Sequence, residues 1–304
     1  MLHCFDIGGS MIKGGVARSP RDMTPTRRVA TPLHDFDAFA AAIGDIVAAH
    51  GGEPDAAAAI AIAGGVDPAT HRIACANIPC IAGRDLAGDL GSVLRRRVSV
   101  FNDADCFTMA EASLGAGRGH RIVFGAILGT GVGGGIVIDG RLLVGAGGFA
   151  GEWGHGPVAA TTAGTPPTAI PRFPCGCGQS GCVDTVGGAR GLERLHRHLH
   201  GEALASPAII EAWRTGGGKA ARTVDCFVDL VASPLALAVN LVGASIVPLG
   251  GGLAHVPALV DALDAAVRAR ILRWTSAPLV VQGQCRIEPG LIGAGLLGIA
   301  ESAA

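Results

Sequence analysis

Three cysteines and one histidine have the residue types and spacing of a metal site. Cys175, Cys177 and Cys182 lie within eight residues, and the glycines between them let the chain wrap around one centre. His155 precedes them in Gly-Glu-Trp-Gly-His and is the best nearby fourth ligand. Three thiolates and one imidazole form a closed tetrahedral set, which is typical of structural zinc. We predict a structural Zn²⁺ in this Cys3His cluster. Other histidines of this half fit a solvated helix face better: His196, His198 and His200.

A pair of aspartates could supply a catalytic base. The apolar segment Val98–Phe101 is followed by Asn102-Asp103-Ala104-Asp105. Polar residues directly after a strand face the cleft of an α/β fold, where a carboxylate can accept a proton from a substrate. Aspartate is also a good helix cap. We therefore assign Asp103 to the cleft and Asp105 to the cap of the following helix.

Three glycine clusters could bring the backbone close to a phosphate. They are the first glycine turn (Gly8–Ser10), the second (Gly129–Gly135) and the third (Gly250–Gly252). Backbone N–H groups in such turns bind anions, and glycine lets the anion approach closely. Asp6 precedes the first turn and could hold Mg²⁺, and Ser10 adds a hydroxyl donor.

The second glycine turn contains a literal G-x-G-x-x-G, but its context does not fit a dinucleotide site. That motif needs a helix directly after it, whereas Gly135–Asp139 is β-branched and runs into an Asp-Gly hairpin turn. A Walker A loop is not seen either, since no Gly-Lys-Ser/Thr follows a glycine loop.

The elements that position these residues follow from periodicity and turn signals. We predict strands at Leu2–Ile7, Ile12–Ala17, Ala57–Ala63, Val98–Phe101, Arg121–Leu128 and Gly135–Asp139. We predict helices over Asp37–His50, Asp85–Arg96, Cys106–Leu114 and Gly293–Glu301. Strand, glycine turn and strand occur in that order in both halves, which suggests two related α/β units.

One uncharged segment, Ala232–Ala254, is long enough to span a bilayer. It contains Pro234 and a run of three glycines, so a buried helix from about Ser233-Pro234 and a strand at Ser245–Leu249 fit better. We therefore predict no membrane span.

Composition limits the class of protein. Of the 304 residues, 49% are hydrophobic and only 16% are charged, so the chain is too apolar to be disordered. It contains 48 glycines and no tyrosine. A net charge of −1 gives no footprint for nucleic acid. The nine cysteines cannot all pair, and no signal peptide is evident, so we expect a reduced, cytoplasmic protein. About 300 residues favours two domains.

These motifs together resemble the ROK sugar kinases. The resemblance rests on Asp6-Ile-Gly-Gly-Ser10, Asn102-Asp103, the second glycine turn, Glu152-x-Gly-His155 and the cysteine motif, in this order over essentially the whole chain. Within that family the residues around Asn77, Asn102 and Cys175 look most like bacterial N-acetyl-D-glucosamine kinases. The resemblance implies an α/β, actin/hexokinase-like (ribonuclease H-like) fold of two domains around a cleft. We place a small domain at 1–118 plus 290–304 and a large domain at 119–289.

The resemblance also implies transfer of the γ-phosphate of ATP to the 6-hydroxyl of a hexose, with Mg²⁺ and structural Zn²⁺ as cofactors and a homodimer as the assembly. Asp103 matches the catalytic base. The sugar-contacting positions would be Gly65, Asn77, Asn102, Asp103, Glu152, His155 and Asp184. The nucleotide-binding positions would be Asp6, Gly8, Gly9, Ser10, Met11, Thr130, Gly131, Gly133, Gly134, Gly135, Gly251 and Gly252. The zinc ligands would be His155, Cys175, Cys177 and Cys182.

Two positions depart from the family pattern, and alternatives for the function stay open. Ser10 replaces the usual threonine and keeps the hydroxyl, whereas Asp184 replaces the usual glutamate and is one methylene shorter. Asp184 therefore leaves the identity of the sugar less certain than the reaction. Rival functions are a glucokinase, an N-acetylmannosamine kinase, a non-catalytic sugar binder and a sugar-sensing repressor. A repressor would need an additional helix-turn-helix, and the phosphate-loop strand already begins at Leu2.

Overall fold

The computed structural model describes residues 1–51, 53, 55–67, 70–75, 77–285 and 287–303. The chain forms two compact units. Unit 1 comprises Met1–Gly115, Gly135–Ala150 and Cys285–Ala304, and unit 2 comprises Ala116–Gly134 and Gly151–Gln284. The domain limits given above remain a prediction.

Short strands and medium-length helices make up both units. The strands are β1 Leu2–Ile7, β2 Met11–Ser19, β3 Asp22–Ala30, β4 Ala58–Ile62, β5 Gly65–Val66, β6 Ile73–Ala74, β7 Val98–Asn102, β8 Ile122–Leu128, β9 Val132–Ile138, β10 Arg141–Leu142, β11 Thr162–Ala163, β12 Thr168–Ala169, β13 Val247–Gly250 and β14 Val280–Gln282. The helices are α1 Phe36–His50, α2 Leu86–Leu94, α3 Asp103–Leu114, α4 Asp184–Gly187, α5 Ala189–His200, α6 Ser206–Arg214, α7 Gly218–Val242, α8 Pro257–Arg268 and α9 Pro289–Ala303.

The first sheet has the strand order β3-β2-β1-β4-β7. Its hairpin strands β1, β2 and β3 are antiparallel, whereas β1, β4 and β7 run parallel. In that parallel register Ile7 lies beside Ile62, and Ile62 lies beside Asn102. The first glycine turn and Asp103 therefore follow aligned carboxyl ends at one edge of the sheet, where α/β folds place their sites.

A second sheet, with the order β10-β9-β8-β13-β14, repeats this scheme. Its strand β13 is parallel to β8 and β14, and Gly250 lies beside Ile127. The second and third glycine turns thus leave the same edge of this sheet. The boundary between the units passes through β9, between Gly134 and Gly135.

Helix α9 completes unit 1 by packing against α3, β1 and β4. Its glycines make that close packing possible, since a Cβ on Gly298 would lie 2.7 Å from the Cβ of Ala59. A further layer is supplied by α1, whose buried Phe39 and Ile43 pack in the core with Phe5 of β1. Asp35 caps the start of α1, and Gly51 ends it at a positive φ of 62°.

Three of the differences from the sequence-based prediction have a clear physical reason or affect the site. Helix α7 begins at Gly218, so the predicted start near Ser233-Pro234 is wrong: Pro234 lies inside the helix. Proline costs about 3 kcal/mol in a helix interior, but α7 buries apolar residues on both sides of it, including Phe227 and Leu235. Strand β9 begins at Val132 instead of Gly135. Strand β3 was missed because most of its residues are exposed.

Among the described residues, α7 is also the helix whose length and apolar composition would suffice to cross a bilayer. Of its most apolar window, 56% is buried within the protein. Buried core helices of this length meet the same criterion, so α7 is weak evidence for a membrane span.

Candidate active site and metal centre

The first glycine turn connects β1 to β2 and is held from both sides. Its Gly8 N–H donates to the Met11 carbonyl at 3.0 Å, and its Gly8 carbonyl accepts from the Thr31 hydroxyl at 2.7 Å. A Cβ on Gly9 would lie 3.2 Å from the carbonyl oxygen of Asn77. The structure therefore brings two predicted groups together, the phosphate turn and Asn77. Ser10 is exposed at the tip.

Asp6, at the end of β1, belongs to a charged network that the sequence-based prediction missed. The Lys13 ammonium lies 2.9 Å from the Asp6 carboxylate and 2.8 Å from that of Glu288, which also pairs with Arg28. Burial lowers the pKa of Lys13, but Glu288 and Asp6 outweigh it and raise the pKa above its usual value. The pairing of Asp6 with Lys13 could have been predicted, because the two residues are cross-strand partners in the predicted hairpin.

Asn102 and Asp103 begin α3, and here the assignment of the cap was wrong. The Asn102 side chain, not that of Asp105, accepts the backbone N–H groups of Ala104 and Asp105, at 2.7 and 3.2 Å. Asparagine outcompetes Asp105 because it stands just before the first helical residue, in an extended conformation. Asp103 is that first residue and is half-buried.

The Asn102 amide also donates to the Gly64 carbonyl at 3.1 Å, which ties Gly64-Gly65 to α3. An aromatic ring that the sequence-based prediction missed lies against this pair. A Cβ on Gly65 would lie 2.7 Å from the ring of Phe149, whose exposed fraction is 52%. The sequence offered one indication of this ring: a phenylalanine follows a glycine-rich run in a chain that has few aromatic residues and no tyrosine.

The second glycine turn is tighter than predicted. Gly129 N–H donates to the Gly131 carbonyl at 3.0 Å, and β9 already begins at Val132, so Gly133–Gly135 are strand residues. The start of α5 lies against the turn, since Ala189 N–H donates to the Gly129 carbonyl at 2.8 Å. Thr130 is exposed.

The third glycine turn follows β13 and lies beside the second. Gly251 has a φ of 86°, and a Cβ there would clash with the backbone of Leu128 and Gly129. Nothing lies within 4 Å of the position that a Cβ on Gly252 would take. Unit 2 thus brings together the predicted phosphate-binding and adenosine-binding turns.

The ligand atoms of the Cys3His cluster all lie within 4.8 Å of one another. The Cys177 and Cys182 sulfurs are 3.6 Å apart, and the Cys175 sulfur is 3.7 Å from His155 Nδ1. Bond lengths of about 2.3 Å to sulfur and 2.0 Å to nitrogen put tetrahedral zinc ligands about 3.5–3.8 Å apart, so the residues fit this ion. Gly178 and Gly181, at φ of 89° and 83°, allow the loop to close.

The surroundings of the cluster suit a metal as well. Hydrogen bonding from the Gln179 backbone lowers the pKa of Cys177 to about 7, whereas burial raises that of Cys175 to about 12. Glu152 lies 4.0 Å from Nε2 of His155, on the side away from Cys175, where it can orient the ring.

The alternative histidines take no part in this cluster. His196 is buried at 2% exposure and hydrogen-bonded to Thr223, so its assignment to a solvated helix face was wrong. The cause is the apolar face of α5, which carries His196 inward together with Leu192 and Leu195.

Glu152 and Asp184, both predicted to contact the sugar, have different partners. Glu152 faces His155, as described. Asp184 accepts the Val132 backbone N–H at 2.8 Å, and a Cβ on Gly131 would clash with its carboxylate. The Asp184 carboxylate therefore lies against the second glycine turn.

Known proteins resemble this chain over nearly its whole length. The model of the ROK family matches residues 2–301. An N-acetylgalactosamine kinase of Shewanella is 35% identical over 98% of this chain and 96% of its own length. An N-acetyl-D-glucosamine kinase of Pectobacterium atrosepticum is also 35% identical, over 99% of this chain and all of its own. The crystal structure of a ROK glucokinase from Streptomyces griseus with glucose and AMPPNP superposes with a TM-score of 0.78 at 27% identity, covering 97% of this chain and 98% of that one.

Proposed function

This chain belongs to the ROK family and has its actin/hexokinase-like fold, and we propose that it transfers the γ-phosphoryl group of ATP to the 6-hydroxyl of N-acetyl-D-glucosamine. The observation that carries the proposal is the position of Asp103. This carboxylate begins α3 at the carboxyl edge of the first sheet, beside the ends of β1 and β4. It is held there by the Asn102 cap.

Asp103 acts as the general base in this proposal. Its carboxylate accepts the proton of the sugar 6-hydroxyl as that oxygen attacks the phosphoryl group. At the N-terminus of α3 the helix dipole stabilises negative charge, which suits a carboxylate in this role. Asn102, Gly65 and Asn77 line the same edge of the sheet and position the sugar. The exposed ring of Phe149 beside Gly65 offers an apolar surface to the sugar ring.

The glycine turns bind the nucleotide in this proposal. Backbone N–H groups of the first and second turns hold the phosphates, and Gly251-Gly252 lie at the adenosine. Asp6 would hold Mg²⁺, which would neutralise charge on the phosphates. Asp6 offers the carboxylate oxygens that Mg²⁺ prefers as ligands, and the Lys13 ammonium, 2.9 Å from Oδ2, would have to give way to the ion there. The glucokinase structure with AMPPNP supports ATP as the donor.

The Cys3His cluster holds Zn²⁺ in this proposal, and its task is structural. All four ligand positions are protein side chains, so no open position remains for a substrate. We propose also that the protein is cytoplasmic, since nine thiols, one of them in the exposed Cys177, suit a reducing compartment.

A homodimer completes the proposal. Unit 2 carries an exposed apolar surface formed by Leu241, Leu272 and Trp274, at 76, 94 and 87% exposure. Leu272 lies at α7, because its backbone N–H donates to Asn240 at 3.0 Å. A second copy of the chain would cover these side chains. Sedimentation of the wild-type chain and of Leu272→Glu tests this, and a monomeric wild type would contradict it.

The second candidate substrate is N-acetyl-D-galactosamine, because a kinase for that sugar is 35% identical to this chain. Glucose and N-acetylmannosamine are further alternatives. The presence of the first and second glycine turns and of Asp103 favours a catalytic protein over a non-catalytic sugar binder.

The test of the proposal is the Asp103→Asn variant, compared with Asp261→Asn on the exposed face of α8. A lost general base lowers kcat about 10²–10⁴-fold, while the dissociation constant for the sugar should change little. Asp261→Asn should keep the kcat of the wild type. Near-normal turnover of Asp103→Asn would contradict the role assigned to Asp103.

A further inference from the structure

The second glycine turn is held at two neighbouring backbone groups by two side chains. Asp184 Oδ1 accepts the N–H of Val132 at 2.8 Å, and the indole N–H of Trp153 donates to the carbonyl of Gly133 at 2.8 Å. Each contact depends on a neighbouring glycine, because a larger residue would occupy the space of the side chain that holds the turn. A Cβ on Gly131 would clash with the Asp184 carboxylate, and one on Gly134 would lie 2.7 Å from the indole.

Both holding residues lie two positions from a ligand of the Cys3His cluster. Trp153 precedes His155, and Asp184 follows Cys182. The two segments are joined directly, because the Asp184 N–H donates to the Gly154 carbonyl at 2.9 Å. Asp184 Oδ2 lies 3.9 Å from the Cys175 sulfur. The ends of the cluster and the two contacts to the turn therefore form one connected structure within unit 2.

We infer that the Cys3His cluster sets the conformation of the second glycine turn through Asp184 and Trp153, so that Asp184 supports nucleotide binding. The inference rests on the proposed function, in which this turn binds the phosphates of ATP. Asp184 and Trp153 are positioning residues, since they act through the backbone of Val132 and Gly133. The four ligand side chains would hold a metal, and binding it would fix the two segments and so order the turn.

The short side chain of Asp184 suits its contact with the turn. Its carboxylate approaches the turn closely enough to exclude a Cβ from Gly131, and Oδ1 is engaged at hydrogen-bond distance. A charged acceptor on a backbone N–H is among the stronger hydrogen bonds. The extra methylene of glutamate would displace this carboxylate from the Val132 N–H.

Direct binding measurements show how Asp184 affects the binding of each ligand. We would measure AMPPNP and N-acetyl-D-glucosamine by calorimetry, each alone, on the wild type, Asp184→Ala, Asp184→Asn, and the control Asp261→Asn. Loss of a hydrogen bond to a charged acceptor should weaken AMPPNP about 10- to 100-fold in Asp184→Ala. Asp184→Asn keeps an acceptor oxygen and should lie between Asp184→Ala and the wild type. Zinc content should stay within about twofold of the wild type. Unchanged AMPPNP affinity in a folded Asp184→Ala variant, with or without a loss of sugar affinity, would overturn the inference.

Trp153 itself reports the link to the cluster. In a chain with Trp213→Phe and Trp274→Phe, Trp153 is the remaining tryptophan. Removing zinc with a chelator should shift its emission to the red and weaken AMPPNP, and adding zinc back should reverse both. Unchanged emission and AMPPNP affinity after zinc removal, or a zinc-free protein that binds AMPPNP normally, would overturn the inference.

This design also distinguishes failure of the inference from failure of the proposed function. A wild type that phosphorylates no hexose contradicts the proposed function, whereas the Trp153 response to zinc still tests the link between cluster and turn. If Asp184→Ala does not fold, Trp153→Phe removes the second contact to the turn and should weaken AMPPNP selectively as well. Normal AMPPNP affinity in Trp153→Phe would then contradict the inference.

Discussion

Replacing Gly293 by alanine puts a methyl group into the contact between α9 and α3. A Cβ at this position would lie well inside 3.0 Å of three atoms of Cys106, namely its carbonyl oxygen, carbonyl carbon and Cα. These are backbone atoms, so no side chain can turn away to make room. Either α9 or α3 must shift.

Two effects of opposite sign decide the result. Alanine favours a helix over glycine by about 1 kcal/mol. Overpacking a well-packed contact costs about 1–3 kcal/mol, and rigid backbone atoms place Gly293 at the upper end of that range. We therefore expect Gly293→Ala to destabilise the protein by about 2 kcal/mol and lower the apparent Tm by about 3 °C.

The shift should also reach the active site. Cys106 stands three residues after Asp103 on α3, and Gly290 at the start of α9 lies against Asp6, where a Cβ would be 2.9 Å from the carboxylate. A displaced α3 or α9 therefore moves a candidate catalytic group. Because positioning errors of about 1 Å can cost about 10²-fold in rate, we expect kcat to fall as well.

Gly44→Ala is the matched control. Gly44 lies in the middle of α1, and a Cβ there would find its nearest atom 3.5 Å away, on the flexible side chain of Leu94. Here the helix preference of alanine should outweigh any cost of packing, so we expect a higher Tm and an unchanged kcat. Thermal unfolding and steady-state kinetics of both variants check this. An unchanged or raised Tm in Gly293→Ala would refute the account of the α9–α3 contact.

Three further predictions concern the metal, the pH dependence and the sugar. Metal analysis of the purified protein should find one zinc per chain bound in the Cys3His cluster, and full activity without zinc would contradict this. Burial, together with Arg96 and His50, lowers the pKa of His3 to about 4 from 6.5. Between these two pH values the unfolded chain binds a proton that the folded chain does not, so the free energy of unfolding falls as pH drops below about 6.5. At about 1.36 kcal/mol per pH unit, His3→Gln should remove about 2 kcal/mol of the stability that the wild type loses from pH 7.5 to 5. The same pH profile for both proteins in denaturant titrations would refute this role of His3. Phe149→Ala should raise the KM for the sugar about fivefold at unchanged KM for ATP, because an apolar contact is lost; equal changes in both would contradict a sugar-facing ring.

Much of the fold could be predicted because its signals are local. Strand β1, the first glycine turn and strand β2 follow one another within Leu2–Ser19, and the predicted Asp139-Gly140 hairpin turn has both residues at positive φ. The Cys3His cluster could be predicted equally well, since three of its ligands lie within eight residues. Its fourth ligand, His155, is near enough in sequence to be chosen by residue type.

The features that escaped prediction depend on distant residues or on competition between neighbours. Glu288 pairs with Lys13 across most of the chain. Asp184 meets Val132 over 52 residues, and no local pattern indicates that contact. Asn102 and Asp105 competed for one helix cap, and only the position where α3 begins decides between them.

The most direct test of the central claim is phosphoryl transfer from ATP to a panel of hexoses in the presence of Mg²⁺. The panel comprises N-acetyl-D-glucosamine, N-acetyl-D-galactosamine, N-acetyl-D-mannosamine and glucose, with kcat/KM measured for each and the position of the phosphate determined by NMR. We predict the highest kcat/KM for N-acetyl-D-glucosamine and a product phosphorylated at O6. No transfer to any of these sugars, or a phosphate at another hydroxyl, would contradict the account.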